Sequence, residues 1–93
     1  MRVKVLYFTE FKEIAGKDTE EYELTTNTLR SLINLIIEKY HKMRDLLWDD
    51  KKNFIKNDIS VIINNNAIYG QDIFDSLLKN GDIITFLFPV SGG

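Results

Sequence analysis

The last regular stretch of the chain, "IITFLF" from Ile83 to Phe88, is apolar at every position except Thr85. A strand without a polar face has to be covered on at least part of both sides, which places it near the middle of a sheet. One other run has the right character to lie beside it. "RVKVLYF", from Arg2 to Phe8, alternates and is rich in β-branched and aromatic residues, the pattern of a strand. Its Val3, Val5 and Tyr7 point one way; Arg2, Lys4, Leu6 and Phe8 point the other. Parallel pairing of these two runs would put both ends of the folded core in the centre of the sheet.

A sheet of this kind needs a cover, and the sequence offers one long helix. In "TLRSLINLIIEKY" the residues Leu29, Leu32, Ile33, Ile36 and Tyr40 recur at spacings of three and four, one face of an α-helix. Thr26, Asn27 or Thr28 supplies its N-cap. Lys39, His41 and Lys42 stand at its far end, where cations suit the helix dipole. Between the first strand and this helix, "TEFKEIAG" predicts a short helix capped by Thr9 and ended by Gly16. A weaker, charged strand from Glu21 to Leu24 follows, suited to a sheet edge. After the long helix come a short helical turn near Leu46 and Leu47, a charged loop, a strand in "ISVIIN", a tight turn at Asn65-Asn66, and a short helical turn stopped at Asn80-Gly81. The class is α+β: a mixed sheet of about five strands with one main helix on one face.

Composition narrows the function. Ninety-three residues form one domain, with 44% hydrophobic and 28% charged residues. The division expected is a domain over 1–88 and a C-terminal tail over 89–93. A net charge of −2 argues against a nucleic-acid partner. There is no cysteine, which removes disulfides, thiolate metal sites and cysteine nucleophiles. No apolar run reaches membrane-spanning length and the N-terminus lacks a signal-peptide pattern, so no membrane partner and a cytoplasmic location are expected. His41 has no Ser, Cys or carboxylate partner marked out by spacing, and Asp49-Asp50 and Asp72 with Asp75 lack the pattern of a metal loop. Trp48 reads as core or loop packing. No glycine-rich phosphate loop exists, so any nucleotide is bound by a partner.

The segments "VKVLYFTEFKEIAG", "TLRSLINLIIEKY" and "NGDIITFLFPVSGG" resemble the MoaD/ThiS group of ubiquitin-like sulfur carriers, most of all molybdopterin synthase small subunits. The likeness runs nearly the whole length, with a gap from about Met43 to Asp58. It implies a β-grasp fold and a C-terminal glycine, here Gly93, that is adenylated and turned into a thiocarboxylate. It also implies two partners: a ubiquitin-activating-type (MoeB-like) adenylating enzyme, which uses ATP and Mg, and a MoaE-like synthase large subunit. The chain itself would bind no cofactor and catalyse nothing alone; its sulfur would serve molybdenum cofactor biosynthesis. Three departures stand out. Phe88 occupies a position where the family often has a first proline, predicting a less stiff tail. The hairpin has Asn65-Asn66 where Asn-Gly is usual. The charged segment from Asp49 to Asp58 has no counterpart.

The tail suits that chemistry on its own terms. A terminal carboxylate is ionised at pH 7 and can attack the α-phosphate of ATP. Gly92 and Gly93 are the thinnest thread that can enter a partner's buried site. Pro89 and Val90 favour an extended lead-in, with Ser91 between them and the glycines. With the helix on the Val3/Val5/Tyr7 and Ile84/Phe86 face, Leu6, Phe8 and Leu87 would form an apolar patch on the open side, beside the root of the tail. The resemblance adds Lys12 as a partner contact. Three other readings share these features. One is a ubiquitin-like modifier joined through Gly93 to lysines, another a carrier for thiamin thiazole synthesis or for tungsten in place of molybdenum. The last is a plain interaction domain whose glycines do nothing.

Overall fold

Five strands form one mixed sheet in the order β2-β1-β7-β5-β6 in this computed structural model, which describes residues 1–56, 58–70 and 72–88 and, of Phe54, the backbone. The elements run β1 (Arg2–Leu6), α1 (Thr9–Ala15), β2 (Thr19–Glu23), α2 (Leu29–Lys39), α3 (His41–Leu47), β3 (Trp48–Asp49), β4 (Phe54–Ile55), β5 (Ser60–Ile63), β6 (Asn66–Ile68), a 3-10 turn (Ile73–Asp75) and β7 (Ile83–Leu87). The apolar strand β7 is central, as its composition requires. It runs parallel to β1, with Lys4 beside Ile83, Val5 beside Ile84 and Leu6 beside Thr85. All other pairings are antiparallel. This is the β-grasp arrangement.

One face of the sheet is closed. Val3, Val5 and Tyr7 of the first strand run and Ile84 and Phe86 of β7 are buried in a single cluster with Leu29, Leu32, Ile33 and Ile36 of α2. The entry to α2 is built from the turns around it. Thr28 Oγ1 accepts the Ser31 N–H at 3.3 Å, and the otherwise unpaired Leu29 N–H donates to the Ser76 carbonyl at 3.0 Å. Of the three N-cap candidates, Thr28 is the one used. Phe11 of α1 is buried on the same face, 6.2 Å from the Phe86 ring centroid.

The structure corrects several local expectations. β1 ends at Leu6, although Tyr7 N–H still donates to the Asp18 carbonyl at 2.8 Å. Thr9 does not cap α1; Phe8 holds the cap position without a side-chain bond, and Thr9 takes φ +50. β2 begins two residues earlier than its pattern implied, because Glu20 is turned inward rather than left at a polar edge. α2 stops at Tyr40, so His41 opens α3 instead of ending the long helix. The turn of the second hairpin falls on Asn64-Asn65, with Asn64 at φ +52. The charged segment near Asp49 to Asp58 holds the small β3–β4 hairpin, where a loop was expected. Trp48 packs it down by stacking on Phe74 at 5.4 Å, and the Arg30 guanidinium lies 4.8 Å from the Phe74 ring centroid.

A polar cluster ties β1, β2 and the end of α2 together, and no periodicity announced it. The Glu20 carboxylate is 7% exposed. Its Oε1 accepts hydroxyls from Tyr7 (2.8 Å), Tyr22 (2.9 Å) and Tyr40 (2.9 Å). Its Oε2 faces the ammonium groups of Lys39 and, at 3.4 Å, Lys17. Burial alone would raise the carboxyl pKa. The bonds from Lys39, Tyr7, Tyr40 and Tyr22 outweigh burial and hold it at about 2. Burial pushes the Tyr7 and Tyr22 hydroxyls well above the usual phenol range; for Tyr7 the contacts with Tyr22 and Glu20 add to it, and for Tyr22 burial and Glu20 outweigh the lowering bond from Tyr7.

An unfolded Glu binds its proton near pH 4.5, whereas folded Glu20 does so only near pH 2. The cluster's contribution is therefore complete above pH 4.5 and lost as pH falls towards 2, an effect of about 3 kcal/mol. Glu20→Gln is expected to lower unfolding free energy by a similar amount, about 3 kcal/mol. It should also flatten the pH dependence of stability between pH 4.5 and 2. Urea titrations of both proteins across that range check this; an unchanged slope would show that the cluster is not coupled to folding.

Candidate functional site

The sheet face turned away from α2 carries the site. Strand alternation sends Lys4 and Leu6 of β1, Ile83, Thr85 and Leu87 of β7, and Ser60 and Ile62 of β5 to this side. The registers then set them in rows. Leu6 lies beside Thr85, Thr85 opposite Ile62, and Ile62 opposite Ala67; Leu87 lies opposite Ser60. Leu6, Ile62 and Leu87 are half-buried, while Ile83 is 37% and Phe8 45% exposed. Thr85 is buried at the centre of the face. The result is a shallow apolar surface centred on β7.

Phe8, in extended backbone, continues the outward parity of Leu6. Tyr7 is held inside by Glu20, so Phe8, one residue on, faces out. At the next residue the chain turns into α1 through Thr9 at φ +50, a conformation that β-branched residues seldom adopt. The turn is closed by Phe11 N–H to the Phe8 carbonyl at 3.1 Å and by burial of Phe11. Lys12 follows Phe8 by one helical turn and so lies on its side of α1. It is 57% exposed and pairs with Asp18 at 2.7 Å.

The root of the tail is anchored from the opposite face. Phe88 follows the inward-facing Ile84 and Phe86 in alternation, and its ring stacks on Phe11 at 5.2 Å with planes 17° apart. Phe88 is therefore held in place by ring packing. Of the predicted site residues, the structure brings together Leu6, Phe8 and Leu87 on the open face, with Lys12 at its α1 border. Pro89, Val90, Ser91, Gly92 and Gly93 lie outside the described residues.

Sequence reading left Ile62 and Ile83 out of this surface. For Ile83 the signal was present, since it shares the parity of Thr85 and Leu87. For Ile62 the signal was partial: Ser60 and Asn64 share its parity, against Ile59, Val61 and Ile63, and the pairing with β7 sets that side on the open face. Among the described residues no cluster of His, Asp and Glu is arranged to hold a metal, and no helix is long and apolar enough to cross a membrane.

Comparison with known proteins agrees with this architecture. A solution structure of small archaeal modifier protein 1 from Methanosarcina acetivorans superposes with a TM-score of 0.82 at 29% identity, covering 99% of this chain and 96% of that one. A Pyrococcus furiosus protein assigned as molybdopterin converting factor subunit 1 gives 0.72 at 30% identity, covering 96% and 98%. A complex of subunits 1 and 2 of molybdopterin-converting factor from Helicobacter pylori gives 0.66 at 24% identity, covering 100% of both chains. No curated protein matches the chain in sequence. The profile of the ThiS family matches residues 5–93. By that match the chain belongs to the ThiS family, among the ubiquitin-like β-grasp sulfur carriers and modifiers.

Proposed function

We propose that this protein is a sulfur carrier, the small subunit of a molybdopterin synthase, acting in the cytoplasm through a terminal Gly93. The observation that carries the reading is the apolar open face of Leu6, Phe8, Ile62, Ile83 and Leu87, set around the strand that runs on into the Gly92-Gly93 tail. A surface of this kind beside a chain end is suited to dock a partner while the end enters that partner's site. The likeness to the Pyrococcus furiosus subunit at 30% identity supports the choice of pathway.

The chemistry is simple in outline. The Gly93 carboxylate attacks the α-phosphate of ATP in the activating enzyme, forming an acyl adenylate and releasing pyrophosphate. Hydrosulfide supplied by a sulfur donor then attacks the acyl carbon, expels AMP and loses its proton, leaving a thiocarboxylate. The synthase large subunit binds the pterin and supplies acid–base groups; the thiocarboxylate sulfur bonds to the pterin, and water cleaves the resulting thioester, so that Gly93 returns as a carboxylate. This chain contributes the docking face and the reactive end. ATP and Mg belong to the activating partner.

A second reading is favoured by the likeness to the Methanosarcina acetivorans modifier. The same adenylate, met by a lysine amine in place of sulfur, gives an isopeptide and makes the protein a modifier. The intact mass of protein purified from its native host separates the two. A sulfur-for-oxygen exchange localised to the terminal peptide supports the carrier; branched lysine peptides ending in Gly93, without that exchange, support the modifier.

Two variants test the shared chemistry. Deleting Gly93, or adding one residue after it, is expected to abolish adenylation while leaving thermal stability unchanged; full activity in either would overturn the role of the terminus. Phe8→Asp is expected to keep the fold, because Phe8 is 45% exposed, and to weaken binding to the activating enzyme by about tenfold or more. Calorimetric titration against that enzyme measures it, and an unchanged Kd would remove Phe8 from the interface.

A further inference from the structure

A second surface lies on the other side of the sheet, at the free edge of β2. The bonds flanking this strand, Leu24 N–H to Met1 O at 2.7 Å and Tyr7 N–H to Asp18 O at 2.8 Å, set its alternation. With Tyr22 opposite Val3 and Glu20 opposite Val5, it is Glu20 and Tyr22 whose backbone groups bond to β1. The N–H and C=O groups of Thr19, Glu21 and Glu23 therefore point away from the sheet, where a further strand would pair.

Next to this edge runs a groove of about 480 Å³ lined by Glu21, Tyr22, Glu23, Leu35, Glu38 and Lys39. Leu35 stands on the flank of α2, 37% exposed, and gives the groove an apolar wall. The charges are unequal. Lys39 is committed to Glu20 and lies over the Tyr22 and Tyr40 rings, 5.8 and 5.6 Å from their centroids. Glu38 gives the groove an acid from α2, while Glu21 and Glu23, whose side chains alternate to the open face beside Arg2 and Lys4, line the same free edge with acids on its other side. The cations that approach Glu21 and Glu23 do so at long range and in solvent: Arg2 at 3.9 and 3.6 Å, and the N-terminal amine at 3.7 Å. Exposed pairs of this geometry are weak and yield readily to a closer partner.

We propose that this groove docks an extended segment of a partner protein by strand addition to β2, with an apolar residue against Leu35 and Lys or Arg residues on its flanks. An open edge supplies the backbone bonds, the apolar wall a side-chain anchor, and the acids the choice of charge. A second copy of this chain is a poor occupant, since β2 against β2 sets Glu21 and Glu23 against the same acids. The groove faces α2 and the free edge, whereas the Leu6/Phe8/Leu87 surface is on the far face. One molecule can therefore hold a strand here while its tail is engaged elsewhere. The proposal is independent of which customer receives the sulfur.

The test uses the full chain, isotopically labelled, titrated with the peptide Lys-Lys-Val-Ile-Thr-Val-Lys-Lys and with a counterpart in which every lysine is glutamate. The lysine peptide is expected to shift the amide signals of Thr19, Glu21, Glu23, Leu35 and Glu38. It should slow hydrogen exchange at the Glu21 and Glu23 amides and leave Leu6, Thr85 and Leu87 unmoved. Glu38→Lys and Leu35→Asp, both at solvent-facing positions of α2, should each weaken it about threefold or more with the spectrum otherwise native. The proposal is overturned by no shift up to about 1 mM peptide, by shifts confined to the Leu6/Leu87 face, by equal binding of the glutamate peptide, or by unchanged binding to both variants.

Discussion

The parallel pairing of β1 with β7 is the constraint on which everything else rests. It joins the first and last strands of the chain at the centre of the sheet, through Lys4 N–H to the Asp82 carbonyl at 2.9 Å and Gly81 N–H to the Arg2 carbonyl at 2.8 Å. A parallel pair needs a long crossover, and α1, β2, α2 and α3 provide it. The same pairing decides that the chain leaves the sheet beside Leu6 and Phe8. The open apolar face and the end of β7 are neighbours because the two strands are.

Polar groups lock that pairing at both ends. At one end Asp82, nearly buried, accepts the Lys79 N–H at 2.8 Å and the Asn64 amide at 3.0 Å, while Asn64 Oδ1 accepts the Ile83 N–H at 3.0 Å. Two turns distant in sequence are thereby held to the start of β7. At the other end the Glu20 cluster holds Tyr7, and with it the direction of the chain through Phe8 and Thr9 into α1. Buried polar networks that are fully satisfied specify one arrangement rather than several. Here no buried side-chain nitrogen or oxygen among the described residues lacks a partner.

The aromatic residues divide the remaining work. Phe11 sits between Phe86 and Phe88, so α1, the end of β7 and the tail root form one stack. Trp48, Phe74 and Arg30 form another, which fastens the β3–β4 hairpin to the 3-10 turn and to α2. The hairpin was invisible in the sequence because its strands are two residues long and its middle is charged. Neither a period of two nor one of three and a half has room to show there. Its stability comes from Trp48 and the buried Ile55, not from its own pattern.

The sequence by itself determined the elements with strong periodicity and the side each would bury. Val3, Val5 and Tyr7, the α2 stripe, and Ile84 with Phe86 are all inside, since apolar spacing and burial are the same physical fact read twice. It also determined that Leu6, Phe8 and Leu87 would be left on the opposite side. What tertiary structure alone decided was how residues distant in sequence meet. Glu20 reads as one charge among several in "KDTEEYE" and becomes the hub of three tyrosines and two lysines. Ile62 shares the parity of Ser60 and Asn64 in its own strand, and only the pairing with β7 sets it opposite Thr85 on the open face. The outward backbone of β2 has no signature in any side chain. Local pattern encodes which face a residue takes relative to its own element; register and crossing decide what lies opposite that face.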